Sequence, residues 1–313
     1  MKKLFIAVMA VAAMASCAQE EVILNNNKAI EFGDAFVNNS TKVIYENGKE
    51  EVQAFNVWGT VQGTSGTPVA LYEGATVTRG DKNYTDPWSC TVARYWTPSC
   101  TYAFYAVVDA AENAVDAENG VPQTIKYTAD GETDLLYGTQ SASTNENNVV
   151  TGLNSKNAVA FQLQHLLSLV NVSFKNSVST SDNAYTYEIT DVKVTGWEKG
   201  IYTVNGGTWA QDGTSTKALS FNGIASLAYA TTATNVGRQL IIPNQPIVIS
   251  FTYNEKIKDN TYLTKTISKQ VVATAQNNYQ YNITVEFSKN SEINFSVDSV
   301  GGFTDADSEV DIQ

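Results

Sequence analysis

Apolar and polar residues alternate over most of the chain after residue 50, in short stretches separated by Gly, Asn, Asp and Ser. The stretches are rich in Val, Ile, Thr, Tyr and Phe, and an alternation with a period of two is typical of β-strands. No long pattern with a helical period competes with it. We therefore predict an all-β protein of about ten to fourteen strands. The clearest strands span residues 53–61, 102–108, 158–174, 185–194, 239–253, 261–272 and 279–287.

The chain has 313 residues, which is enough for two domains with separate apolar cores. Ser, Thr and Asn are frequent in residues 141–157, and this composition is typical of a loop. The alternation in residues 158–174 passes through His165 and predicts one long strand at the start of the second half, in which a bulge could stand where the two alternating sets change face. We therefore expect two tandem β-sandwiches, formed by residues 43–157 and 158–313.

The N-terminus has the layout of a secretory signal. Two lysines precede an apolar run over residues 4–14, which is too short to span a bilayer as a stable helix. The sequence MASC at residues 14–17 resembles the lipobox, at which a signal peptidase cuts before a cysteine. We expect residues 1–16 to be a lipoprotein signal peptide and Cys17 to carry a lipid that holds the protein on the membrane. An ordinary signal peptide that ends near a cysteine is the alternative.

The charge balance is acidic and argues against nucleic acid as a partner. The chain has 20 basic and 32 acidic residues, with a formal net charge of −12, and no basic stripe that would neutralise phosphates. Glu20 and Glu21 follow the cysteine closely and resemble the signal that sends lipoproteins to the outer face of certain outer membranes. We expect a cell-surface protein.

The residues that carry chemistry are sparse. His165 is the only histidine, which rules out multi-histidine metal sites. A Ser-His-Asp catalytic triad would have to contain this residue. Because it stands in an apolar strand, we predict a hydrogen-bonded core histidine. The acidic run at residues 305–311 lacks the glycine and ligand order of a calcium loop and indicates a solvated terminus. We predict no enzyme activity, no catalytic residue, no metal and no cofactor.

Cys90 and Cys100 leave their pairing open. An exported protein meets an oxidising compartment, where a disulfide forms readily. If Thr97 and Pro98 form a tight turn between two strands, however, Cys100 lies opposite residue 95, and Cys90 lies beyond disulfide reach. The sequence does not decide between these two outcomes.

A series of short motifs covers nearly the whole chain. They are FNVWG at 55–59, Trp88, YWTP at 95–98, YAFYA at 102–106, DLLYG at 134–138, FQLQHLLSLVNV at 161–172, GIY at 200–202, LIIPNQ at 240–245 and YQYNI at 279–283. Each motif alone is weak. The ordered set, together with the lipobox, resembles the fimbrillin-like family of type V pili.

This resemblance implies a fold and an assembly route. The fold would be two transthyretin-like β-sandwich domains, and the precursor would travel as a lipoprotein. A protease that cuts after Arg or Lys would remove the lipidated N-terminal segment with its first strand, and the groove left behind would accept a strand from another subunit.

The sequence contains a segment that fits the removable strand. In residues 17–42, Ile30, Phe32 and Phe36 share one alternating face, and a polar connector follows them up to Lys42. The family often has Thr-Arg where this chain has Thr-Lys, so cleavage here needs a protease that accepts lysine. Lys49 is a second candidate site. The alternative is that Lys42 is a solvated loop lysine of an accessory subunit that is not cut.

The C-terminal tail contains the candidate donor strand. Its apolar residues alternate with polar ones in two pieces separated by Gly301 and Gly302, and the tail could hinge outward there. The alternative is that the pieces are the last strands of the domain's own sandwich. The donor residues are Ile293, Phe295, Val297, Val310 and Ile312.

The resemblance therefore implies a shaft or tip subunit of a surface fimbria, which serves adhesion and has other fimbrial subunits as partners. An anchor subunit would share the fold but keep its lipid and its first strand. The alternative from another class is a surface glycan-binding lipoprotein of an outer-membrane sugar importer. That function needs an exposed aromatic platform, for which the candidates are Trp88, Trp96, Trp197 and Trp209.

Overall fold

The computed structural model shows an all-β chain over the residues that it describes. None of these residues belongs to a helix long and apolar enough to cross a membrane. The described residues are 28–37, 52–80, 87–109, 114–153, 158–178, 185–257, 260–288, 292–301 and 303.

The described part of the chain contains 21 strands, more than the ten to fourteen predicted. Several strands of two to five residues, too short to show a period, account for the difference. In the first half the strands are β1 (Phe32–Val37), β2 (Ala54–Gly63), β3 (Val69–Arg79), β4 (Trp88–Cys90), β5 (Cys100–Val108), β6 (Val115–Glu118), β7 (Val121–Thr128), β8 (Leu136–Thr144), β9 (Val150–Thr151) and β10 (Val159–His165). They continue with β11 (Ser168–Asn176), β12 (Tyr185–Trp197), β13 (Lys199–Thr203), β14 (Thr208–Gln211), β15 (Thr216–Ser220), β16 (Ile224–Leu227), β17 (Thr234–Ile241), β18 (Ile247–Ile257), β19 (Asn260–Val272), β20 (Tyr279–Ser288) and β21 (Glu292–Gly301).

The first half forms an eight-stranded sheet in the order β1-β10-β8-β5-β2-β3-β4, with β9 beside β8. Its strands carry the predicted alternation: in β5, Cys100, Tyr102, Phe104 and Ala106 are buried, and the residues between them are more exposed. The buried apolar side chains of these strands meet in one cluster, to which β1, β2, β3, β5, β8 and β10 all contribute. The sheet therefore wraps around its own core.

The second half is a sandwich of two sheets. One has the order β17-β11-β20-β21, and the other has the order β15-β12-β18-β19 with β16 also beside β12. In β18 the side chains alternate between buried and half-buried positions along almost the whole strand. Buried residues of both sheets, among them Phe174, Phe251 and Phe287, form a second apolar core.

A fourth sheet joins the two halves. It has the order β14-β13-β7-β6, so that β6 and β7 come from the first half and β13 and β14 from the second. A separate apolar cluster lies here and includes Trp58 and Tyr127 from the first half and Tyr202 and Trp209 from the second. The two halves therefore share both a sheet and a core at their junction.

The long strand predicted over residues 158–174 is in fact two strands. The chain leaves strand geometry at Leu166 and Leu167; β10 pairs with β1 and β8, whereas β11 pairs with β17 and β20. A division between residues 157 and 158 therefore separates β10 from the sheet in which it pairs. The amide of Leu166 donates a hydrogen bond to the carbonyl of Leu135 (2.9 Å), and this contact holds the corner in place.

The strand predicted over residues 239–253 is likewise divided into the end of β17 and most of β18. The intervening turn contains Asn244, which has a positive φ of 61°. Asparagine tolerates this left-handed conformation better than most residues. Gln245 stabilises the turn, because its side-chain nitrogen Nε2 donates a hydrogen bond to the carbonyl of Ile242 (2.6 Å).

The turn between β6 and β7 provides a test of how the junction sheet packs on the first sheet. Gly120 has a φ of +78°, and a Cβ atom there would overlap the carbonyl oxygen of Gly59 in β2. We expect Gly120→Ala to lower the free energy of unfolding by about 3 kcal/mol, from left-handed strain and overpacking together. Equilibrium unfolding in urea measures this loss.

Gly213→Ala is the matched control. Gly213 has a φ of +87°, but nothing lies within 4 Å of the position that a Cβ would take. This substitution should cost only the conformational strain of about 1 kcal/mol. Equal losses for the two variants would contradict the close packing of the β6–β7 turn on β2.

Candidate functional site

The first described segment, residues 28–37, lies between β10 and residues 94–96, which follow β4 at the other border of the N-terminal sheet. On one side, the amide of Ile30 donates to the carbonyl of Arg94 (2.8 Å), and the amide of Trp96 donates to the carbonyl of Lys28 (3.0 Å). On the other side, the amide of Val159 donates to the carbonyl of Glu31 (2.8 Å), and β1 continues parallel to β10. This segment therefore closes the sheet around its core.

Phe32 fills the centre of that core. Ile30 and Phe32 are each only 6% exposed. Aromatic side chains of four strands surround the ring of Phe32, at centroid distances of 5.7 to 6.4 Å. Three of them, on β2, β3 and β5, meet it at steep angles, and the fourth, on β10, is stacked. They are Phe55, Tyr72, Phe104 and Phe161.

The groove that holds this segment also requires a small residue. A Cβ atom on Gly33 would lie 3.3 Å from the Cβ of Ala158, which is closer than side chains normally pack. The groove thus takes an apolar residue at position 30, a large ring at position 32 and a small residue at position 33.

The ladder between β1 and β10 contains one irregularity. The register with β10 shifts by one residue between Phe32 and Ala35, so Phe36 pairs with Gln162. The role of Phe36 in the removable strand stays a prediction.

Five predicted residues lie outside the described part of the chain, and their roles stay predictions. They are Cys17, Lys42, Lys49, Val310 and Ile312.

The other candidate donor residues lie in β21. This strand pairs antiparallel with β20, and among the described strands it forms the border of its sheet. Ile293, Phe295 and Val297 are half-buried and pack against the C-terminal core. In this subunit they therefore belong to the domain's own sandwich.

His165 is a buried core residue, as predicted. Its Nδ1 lies 2.5 Å from Oδ2 of Asp134, and the two side chains are 2% and 0% exposed. Burial raises the pKa of the Asp134 carboxyl, and the hydrogen bond to His165 offsets part of this effect. The other carboxylate oxygen of Asp134 has no hydrogen-bond partner among the described residues.

The pairing of His165 was not predictable from the sequence. Asp134 belongs to a motif used above, but nothing in its spacing indicates a contact with a residue 31 positions away. The ring of Phe303 also stacks on the imidazole, with centroids 3.8 Å apart and planes 21° from parallel. Phe303 lies in a polar tail that gave no signal of a buried contact.

Cys90 and Cys100 are both thiols in the structure. Cys100 is buried in the N-terminal core, and Cys90 packs against the edge of the same core. Their common environment is thus apolar, and no disulfide joins them. Burial raises the pKa of the Cys90 thiol.

The four tryptophans proposed for glycan binding do not form an exposed platform. Trp96 and Trp209 are 0% and 3% exposed. Trp88 is half-buried beside Phe55, with ring centroids 5.2 Å apart, and Trp197 packs against the junction core. All four rings are committed to packing, so they do not favour a glycan site. No group of three or more His, Cys, Asp or Glu side chains in the described ranges could hold a metal ion.

The closed N-terminal sheet, the C-terminal sandwich and the shared junction define an all-β, two-part protein. A sequence model of the fimbrillin-like family matches residues 41–299 of the chain. This protein therefore belongs to the fimbrillin-like family. No curated protein matches the chain in sequence.

Solved structures with the same fold include two from Bacteroides species. A fimbrial protein from Bacteroides vulgatus superimposes with a TM-score of 0.60 at 16% identity, covering 88% of this chain and 99% of that one. A candidate cell adhesion protein from Bacteroides uniformis has a TM-score of 0.53 at 14% identity, covering 88% and 98%. At these identities the likeness concerns the fold.

The aromatic packing around Phe32 makes a quantitative prediction. Phe32→Ala should lower the free energy of unfolding by about 3 to 5 kcal/mol, because it leaves a cavity between the surrounding rings. Chemical denaturation followed by tryptophan fluorescence measures this loss.

Tyr262→Ala serves as the control, because Tyr262 is an aromatic residue that is 76% exposed. Its removal should change the free energy of unfolding by no more than about 0.5 kcal/mol. If Phe32→Ala were as mild as this control, the first strand would not be part of the core.

Proposed function

We propose that this protein is a subunit of a surface fimbria and that it assembles by exchanging strands after loss of its first strand. The observation that carries this proposal is the closure of the N-terminal sheet by residues 28–37. That segment pairs with β10, bonds to residues 94–96 after β4, and inserts Ile30 and Phe32 into the core. Membership of the fimbrillin-like family supports the same function.

Removal of the segment would create a site for another strand. It would leave unpaired backbone groups at Arg94, Trp96 and Val159, together with an apolar groove lined by aromatic rings. A foreign extended segment satisfies both needs at once, because backbone pairing gives affinity and side-chain pockets give selectivity. Lys42 is the proposed processing site, with Lys49 as the second candidate.

The strand that enters the groove is proposed to come from the C-terminal segment of another subunit. β21 contains Ile293 and Phe295, which repeat the spacing of Ile30 and Phe32: an aliphatic residue and a phenylalanine two positions later. Ile293 and Phe295 are only half-buried in their own domain. In the groove they would take positions that are 94% buried, which favours the transfer. Val310 and Ile312 form the second piece of the proposed donor.

The placement of donor and acceptor explains why the product would be a filament. The groove belongs to the N-terminal sheet and β21 to the C-terminal sandwich. A contact between two different surfaces is head-to-tail, and such a contact continues from copy to copy when it does not close into a ring. The proposed partners are therefore other fimbrial subunits.

The cell surface is the proposed location, with Cys17 as the lipid attachment site before processing. A shaft or tip role in adhesion accords with a removable first strand. The two-domain, transthyretin-like organisation belongs to the same proposal, and its support is that each half encloses an apolar core of its own.

Limited digestion of the folded chain tests the processing step. The chain from residue 17, with Cys17→Ala to remove the lipid, is treated with a lysine-specific protease and followed by intact mass and electron microscopy. We expect a new N-terminus at Val43 and the appearance of filaments. Lys42→Gln should stay uncut and monomeric, whereas Lys49→Gln should behave as the parent chain.

Two results would contradict this proposal. A chain that loses residues up to Lys42 and stays monomeric would argue against strand exchange. Filaments formed by the uncut Lys42→Gln, Lys49→Gln double variant would show that the first strand does not block assembly.

A substitution in β21 tests the donor. Phe295→Ala should reduce the yield of filaments at least tenfold, because the groove would lose the ring that replaces Phe32. Asn294→Ala is the matched control: Asn294 is the adjacent exposed residue, so its removal should leave assembly unchanged. Sedimentation of the cleaved proteins measures the yield. Equal yields from both variants would exclude Phe295 from the donor.

A further inference from the structure

The tail that follows β21 is attached to the junction between the two halves. β21 ends at Gly301, and Phe303 then stacks on the imidazole of His165 at a centroid distance of 3.8 Å. Phe303 is half-buried and packs against the junction core. The C-terminal segment is therefore held by the other half of the molecule as well as by its own sandwich.

The orientation of the His165 ring is fixed from the N-terminal half. Asp134 lies directly before Leu135 and Leu136, where β8 begins. Its Oδ2 is 2.5 Å from Nδ1 of His165, and the two atoms share one proton in this hydrogen bond. Both side chains are buried, and a hydrogen bond in such a low-dielectric environment is electrostatically stronger than in water. The imidazole therefore presents one fixed face to Phe303.

β10 connects this contact to the first strand. Its residues from Val159 to Leu163 form the ladder with β1, whereas its ladder with β8 comprises only Gln164 and His165. His165 also continues the row of alternate buried side chains formed by Phe161 and Leu163. A displacement of β10 would thus move the ring on which Phe303 rests.

We propose that the Phe303–His165 contact holds the C-terminal segment on its own subunit while the first strand is in place, and that loss of the first strand from β10 releases it. This inference rests on the proposed function, because it concerns the order of its two steps. Without β1, residues 159–163 of β10 lose the ladder that holds them. His165 then keeps its hydrogen bond to Asp134 and a ladder of two pairs with β8, and these remaining contacts hold its ring against Phe303 less tightly. Opening of the groove and release of the donor are then linked within one subunit.

Hydrogen exchange in the full chain, read by mass spectrometry, tests the first part. In the uncut chain, the amides of residues 292–301 should exchange slowly. Phe303→Ala should accelerate their exchange at least tenfold without cleavage, because the ring that anchors the tail is gone. Phe303→Tyr keeps the ring and should exchange as the parent chain does. An uncut Phe303→Ala chain that exchanges as slowly as the parent would overturn the anchoring role.

The second part is tested on the monomer isolated at high dilution directly after removal of the first strand. Exchange at residues 292–301 in the parent chain should rise to the rate of uncut Phe303→Ala, and the cut Phe303→Ala chain should show little further increase. An unchanged rate in the cut parent would overturn the link between β10 and the tail. Urea unfolding of each uncut variant, followed by tryptophan fluorescence, separates local release from loss of the fold.

The exchange measurement does not require filaments. If the cut chain never assembles but its tail is released, the proposed function fails and the link between the two segments stands. If filaments form and the tail exchange does not respond to cleavage, the proposed function stands and this inference fails.

Discussion

The burial of one phenylalanine by a strand at the start of the described chain is the interaction on which the N-terminal half depends. Phe32 lies among rings from four other strands, and the backbone on either side of it bonds to β10 and to the residues that follow β4. A sheet that wraps around its core exposes backbone groups wherever it fails to close. Residues 28–37 supply that closure. Because every other described strand comes later in the chain, one backbone cut after this segment would separate it from all of them.

The junction between the halves connects the N-terminal sheet, which the first strand closes, to the C-terminal half. Leu166 lies at the corner between β10 and β11. Its backbone amide donates a hydrogen bond to the carbonyl of Leu135, and its carbonyl accepts one from the indole nitrogen of Trp209. The junction core combines side chains of both halves, and Phe303 packs against it. Hydrogen bonds and the shared core therefore connect the two halves at the end of β10. The same strand pairs with the first strand.

The sequence predicted best where the periodicity was local. β2, β5, β12, β19 and β20 begin and end within three residues of their predictions, since each alternates and is bounded by polar residues or turns. The prediction of one strand over residues 158–174 was wrong, because Leu166 and Leu167, at which the strand ends, are apolar like the strand residues around them. The corner there is imposed by hydrogen bonds to residues far along the chain. The one-residue shift between β1 and β10 was also not predictable, because it depends on the partner strand, which no local pattern specifies.

The sequence by itself determined that the chain is all-β, that its family is fimbrillin-like and that His165 is a core residue. These features follow from residue types and their spacing, which each segment carries independently of the others. The tertiary structure alone decided that β10 belongs with the first sheet, that residues 28–37 bond to β10 and to the residues that follow β4, and that Asp134 and Phe303 meet at His165. Each of these is a contact between residues distant in sequence, and its geometry is set by which strands become neighbours when the apolar faces are buried together.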